Sequence, residues 1–132
     1  MNRQVGNVQL MQKMNRLKVL NFVRRNPDVS RPNISVETGL SLASITNVTS
    51  YLLDLGLLIE SGTEKVGRVG RKSTLLRFCA SSYDLICIYL SEKYINIAYT
   101  DLEGKALEKI KVETGELSLE DTMEEIKENV KI

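Results

Sequence analysis

The stretch from Ser30 to Glu60 constrains this chain more than any other, because its punctuation fixes two helices, the turn between them and a following strand. Ser30 can cap a first helix, and Pro32 is tolerated in an opening turn, where a backbone N–H has no partner to lose. Gly39 supplies the turn, since a left-handed backbone costs glycine little. Ser41 then caps a second helix. Along it Leu42, Ile45, Val48, Leu52 and Leu55 recur at steps of three and four and predict one apolar stripe. The other face carries Ala43, Ser44, Thr46, Asn47 and Ser50, all small and uncharged. Such a face can approach base edges closely and hydrogen-bond to them. Gly56 ends the helix, and Leu57-Leu58-Ile59 opens a strand. The pattern is a helix-turn-helix with a recognition helix in second place.

A hairpin follows. Leu57 to Ser61 is its expected first strand and Ser73 to Phe78 its second. The intervening Gly62–Lys72 is glycine-rich and basic. It reads either as a mobile surface loop or as the wing of a winged helix. Its Gly-Arg pairs favour the wing, because a slender backbone joined to a cation can enter a narrow minor groove.

Ahead of this region, residues 1–9 show no clear periodicity and are expected to form a loose arm. Leu10, Met14, Leu17, Leu20 and Val23 then predict the apolar face of a helix over Leu10–Arg25, which Asn26-Pro27-Asp28 ends. Lys13, Arg16, Lys18, Arg24 and Arg25 lie largely elsewhere, as a solvated basic face or as phosphate contacts. Charge divides the chain. Through Phe78 there are twelve basic and five acidic residues, a net of +7, and beyond it six basic and twelve acidic, a net of −6. A basic half suits a polyanionic partner and an acidic half does not, so two modules are expected, residues 1–80 and 81–132.

No apolar run approaches the length of a membrane span. Cys79 and Cys87, the only cysteines, sit in apolar strand-like sequence and are expected as buried free thiols. With no histidine and two lone cysteines, a metal site is not expected. A cytoplasmic binding protein without metal or cofactor fits best.

In the second module Leu85–Leu90, Tyr94–Thr100 and Ala106–Val112 read as strands, with Asp101–Gly104 as a turn. Glu116–Ile132 reads as a helix capped by Ser118, with Leu119, Met123, Ile126 and Val130 as its stripe. The fold class is therefore α+β: a winged helix-turn-helix, then a small antiparallel meander plus helix. One face of that meander lacks an evident cover, which suggests the front of something longer and a tendency to self-associate.

These residues resemble the ROK family (repressors, open reading frames and kinases). Asn15-Arg16 with Val19-Leu20 is similar to the family's first helix. Ser30-Arg31, Thr38-Gly39-Leu40-Ser41 and Leu53 with Gly56-Leu57 resemble its helix-turn-helix. Gly67-Arg68-Val69-Gly70-Arg71 resembles its wing motif, with Lys72 at the family's proline. Ile86–Gly104 resembles the first hairpin of its actin-like sugar-kinase domain. The resemblance implies a bacterial transcriptional regulator whose C-terminal domain senses a sugar or sugar phosphate. Family kinases carry Asp-x-Gly-x-Thr in that hairpin, where this chain has Tyr89, Ser91 and Lys93, so the phosphate loop is not carried over.

The expected function is sequence-specific binding of double-stranded DNA by a homodimeric repressor of sugar-metabolism genes, with no catalysis. Ser41, Ala43, Ser44, Thr46 and Asn47 would face bases or backbone, Arg31 would join them from the first helix, and Arg68, Arg71 and Lys72 would grip the flank. A sugar effector is expected only if the native chain is longer. The alternatives are a protein-interaction winged helix and a degenerate sugar-kinase fragment.

Overall fold

The computed structural model describes residues 3–66, 71–115 and 117–130, and within them the side chains of all but 3–6, 65–66 and 71. The chain forms two compact units, Met1–Cys79 and Ala80–Ile132.

In the first unit, helix α1 spans Arg3–Arg25. It therefore begins well before Leu10, inside the stretch expected as a loose arm. Periodicity reports burial, not helicity, and extending a helix already formed needs no buried face. Leu10, Met14 and Leu17 are accordingly exposed, and α1 contributes Val19 and Val23 to the core, with Leu20 and Phe22 beside them. The helix stops at Asn26, whose amide nitrogen donates to the Phe22 and Val23 carbonyls. Asp28 turns the chain with a φ of 60°.

A two-residue strand, β1 (Val29–Ser30), leads into helix α2 (Arg31–Thr38). Ser30 occupies the cap position with an extended backbone, but its side chain makes no capping bond. Pairing of Ser30 with Leu75 fixes that backbone in the sheet, and its buried Oγ finds no protein partner. Gly39 makes the turn at φ 70°, its N–H donating to the Ser35 carbonyl.

Helix α3 (Leu42–Asp54) is capped as expected: the Ser41 side chain accepts from the Ser44 N–H at 3.2 Å. Ile45 and Leu52 are buried and Val48 partly so, whereas Leu42 and Leu55 are exposed. The buried row instead takes in Thr49, whose hydroxyl donates to the Thr46 carbonyl.

Strands β2 (Leu58–Val66) and β3 (Arg71–Phe78) form an antiparallel hairpin, and β1 pairs with the outer side of β3. Most of the expected loop Gly62–Lys72 is thus strand, with pairs such as Thr63 with Thr74 and Glu64 with Ser73. A register shift between Glu60 and Gly62 breaks the alternation that would reveal one continuous strand. The hairpin tip, residues 67–70, lies outside the described residues. Leu58 and Leu76 close the core with Val29, Ile34, Ile45 and Leu52.

The second unit opens with a short 3-10 turn, Ala80–Ser82. Strands β4 (Leu85–Leu90), β5 (Tyr94–Thr100) and β6 (Ala106–Glu113) form an antiparallel meander in that order. Asp101 shapes the β5–β6 turn, its Oδ1 accepting from the Glu103 and Lys105 N–H groups at 2.9 Å each. Helix α4 spans Leu119–Asn129, and Ser118 caps it through the Asp121 N–H, so the expected helix over Glu116–Ile132 does not include 117 and 118, while its positions 116, 131 and 132 lie outside the described residues. The Tyr99 hydroxyl donates to the Asn129 carbonyl, so the C-terminal end of α4 meets the face that carries Tyr99. Leu119 and Met123, expected as part of a buried stripe, are exposed. Among the described residues of this unit, Ile95 and Ile97 are the buried apolar ones. Neither cysteine is buried as expected: Cys79, just after β3, is half-buried, and Cys87 is exposed because every position of β4 is open to solvent. No helix among the described residues is long and apolar enough to cross a membrane.

Candidate nucleic-acid interface

Helix α3 turns one ridge outward. At about 100° per residue, Ala43 and Ser50 lie at its centre, Thr46 on one shoulder and Asn47 on the other, and all four are exposed. The ridge carries no charge, so its nearest approach to a ligand is set by small side chains. The Thr46 hydroxyl donates to the Leu42 carbonyl at 2.8 Å, which leaves its lone pairs and methyl outward. Ser41 and Ser44 are committed to the helix start, their hydroxyls 2.9 Å apart. Those two serines thus shape the end of the ridge more than they extend it.

A cleft flanks each shoulder. On the hairpin side a cleft of about 490 Å³ is lined by Arg31, Pro32, Leu42, Thr46, Lys72, Ser73 and Thr74. Arg31 is held there by a bond from its Nε to the buried Thr49 Oγ1 at 2.9 Å, and its two terminal nitrogens remain for a ligand. On the α1 side a cleft of about 240 Å³ is lined by Gln12, Asn15, Arg16, Ser44, Asn47 and Val48. The fold thus brings Arg31, Thr46 and Lys72 to one flank and Ser44 and Asn47 to the other, with Ala43 between. Arg68 lies outside the described residues, as does the Arg71 side chain, although the Arg71 backbone pairs with Val66. Gln12, Asn15, Ser73 and Thr74 were not expected at this surface. Nothing in their local sequence marks them, because only the packing of α1 and β3 against α3 brings them there.

The hairpin is tethered at its base. Arg77 donates from Nε to Asp28 Oδ1 at 3.0 Å and from Nη2 to Oδ2 at 2.6 Å, and the Ser61 hydroxyl donates to the same carboxylate. The Arg77 bond first, then the Ser61 bond, hold the Asp28 carboxyl below the ordinary aspartate value, and the carboxylate raises Arg77 in turn. The tether joins the α1–β1 corner to both hairpin strands. Among the described residues there is no cluster of metal-ligating side chains.

Three helices followed by a hairpin that closes the core, with a short strand completing the sheet, define a winged helix-turn-helix. No family model matches the chain. Curated relatives do. The chain is 31% identical over 103 residues to the xylose repressor of Caldicellulosiruptor bescii, which covers 78% of this chain and 26% of that protein. It is 27% identical over 104 residues to the N-acetylglucosamine repressor of Escherichia coli O157:H7, covering 79% and 25%. Among solved structures, a ROK family transcriptional regulator, a homologue of the E. coli MLC protein, superposes with a TM-score of 0.71 at 25% identity, over 88% of this chain and 29% of that one. The chain belongs to the ROK family. It spans about a quarter of the length of the curated relatives it matches, and its α+β second unit fits the front part of the family's actin-like domain.

Proposed function

We propose that the first unit binds double-stranded DNA sequence-specifically, as the reading head of a transcriptional repressor of sugar-metabolism genes. The observation that carries this reading is the uncharged ridge Ala43–Thr46–Asn47–Ser50 standing between two clefts that hold cations. A major groove about 12 Å wide admits one helix with small side chains against the base edges. Its two phosphate walls then fall beside the flanking cations. Asn47 can bond adenine through both amide atoms, and the Thr46 methyl suits a thymine methyl. Arg31 and Lys72 would meet phosphates, and Arg68 and Arg71 the minor groove beyond. The net +7 of the first half agrees with a polyanionic partner. The repressor names of the relatives support the regulatory role, and the sugars in those names support the class of genes. Two copies acting on two-fold related half-sites would follow the usual geometry of helix-turn-helix dimers.

Selection of sites from random duplexes tests the reading. The wild-type chain should enrich a defined motif, and Asn47→Ala should cost about 1–3 kcal/mol on it while relaxing one base position. Arg71→Ala should instead weaken the preference for A·T-rich flanks and leave the central positions intact. Enrichment of no motif, or loss of the same positions by both variants, would contradict the division of labour.

A further inference from the structure

Arg16 has a setting that no other described cation of α1 shares. Its guanidinium lies over the Tyr51 ring, 3.6 Å from the centroid. Lys18, two residues on, is instead tied to the Thr38 carbonyl at the end of α2. Tyr51 follows Asn47 by one turn of α3, so the stack stands beside the shoulder that Asn47 occupies. Arg16 also lines the α1-side cleft and is the one charged residue among its six lining side chains.

We propose that Arg16, braced on Tyr51, is a phosphate-binding residue that seats the DNA strand on the side of α3 away from the hairpin. The inference rests on the DNA-binding reading above and adds to it a second wall. Stacking occupies one face of the guanidinium and leaves the N–H donors in its plane, the edge that forks onto a phosphate. A side chain already ordered by its ring contact loses less entropy on binding than a free one. Gln12 and Asn15 add amide donors on the same wall. The opposite cleft has the same construction, for Arg31 is braced on Thr49. Helix α3 thus holds a guanidinium on each flank, Arg16 through Tyr51 and Arg31 through Thr49, and a major groove has a phosphate strand on each side.

The test measures equilibrium binding of the 132-residue chain to a selected duplex and to an unrelated duplex across a salt series, with thermal unfolding alongside. Arg16→Ala should weaken both duplexes equally, on the order of tenfold, and lower the slope of log affinity against log salt by about 1. Tyr51→Phe should match wild type, because the ring is kept. Tyr51→Leu should fall toward Arg16→Ala, and adding it to Arg16→Ala should cost little more. If Arg16→Ala lowers the unfolding temperature but leaves the salt slope unchanged, Arg16 only pins α1 to α3 and the proposal is wrong. A loss confined to one base position would overturn it as well, by making Arg16 a base reader. Failure of the wild type to bind either duplex would refute the DNA-binding reading itself, a result distinct from a normal wild type with an indifferent Arg16 variant.

Discussion

The two units treat apolar sequence in opposite ways. In the first, Val19, Val23, Ile34, Ile45, Leu52, Leu58 and Leu76 are each 2% exposed or less, and helices and hairpin close on one another. In the second, β4 is the most apolar strand and every one of its positions is exposed. Pairing puts Ile88 beside Ile97, and Ile97 beside Ile110, on one sheet face, yet Ile88 is 44% exposed where Ile97 is 1%. The difference lies in cover. A central strand is shielded by its neighbours, while an edge strand needs something laid across it, and α4 buries none of its residues completely. A hydrophobic residue reports that burial is available to the fold, not that these 132 residues supply it.

The largest effect expected is in the closed core. Ile45→Ala should destabilise the first unit by about 2–5 kcal/mol, read by chemical denaturation, because the cavity it leaves is walled by α1, α2 and the hairpin. The matching change in the open unit, Ile88→Ala, should cost less than about 1 kcal/mol, since much of that side chain already meets water. Equal losses at the two positions would remove the contrast. Native-state hydrogen exchange should sharpen it, with β4 amides exchanging well before those of α3.

Helix capping comes next. Ser41→Ala should cost about 1 kcal/mol of stability in the first unit, by leaving the Ser44 N–H without its acceptor. Ser30→Ala should cost less, although Ser30 also stands at a helix start, because its hydroxyl makes no capping bond. If Ser30 proves the more sensitive, the assignment of caps is reversed.

The smallest effect is the tether of the hairpin. Asp28 has its pKa lowered, so its contribution is present above the ordinary aspartate value of 3.8 and is lost as pH falls through the lower native value. An NMR titration should show the Asp28 carboxyl titrating below that value, with the Ser61 and Arg77 signals moving together. Asp28→Asn keeps a residue that tolerates positive φ and removes the charge, and it should abolish that joint movement. Independent titration of the three would break the tether.

Much of this was legible in the chain. Ser41, Gly39 and Gly56 each mark a boundary through backbone chemistry that is local, and local chemistry can be read without a fold. The strands of the second unit and the Asp101 turn are legible for the same reason. What could not be read depends on what packs where. Leu10, Met14 and Leu17 keep a helical spacing but project past the core. The register shift between Glu60 and Gly62 hides a strand inside what looks like a loop. Val29-Ser30 becomes a strand only because β3 lies beside it. At the candidate site, the ridge on α3 follows from periodicity, whereas the clefts follow from the packing of α1 and β3. Arg16 showed this most plainly, since its neighbour Tyr51 is 35 residues away in sequence.

The central claim is that the first unit grips a polyanion, and salt titration of duplex binding tests it most directly. Neutralising phosphates releases counterions, so log affinity should fall linearly and steeply with log salt. With six to ten phosphate contacts, affinity should drop about 10³–10⁵-fold between roughly 50 and 200 mM salt. An affinity that barely changed over that range would contradict the account.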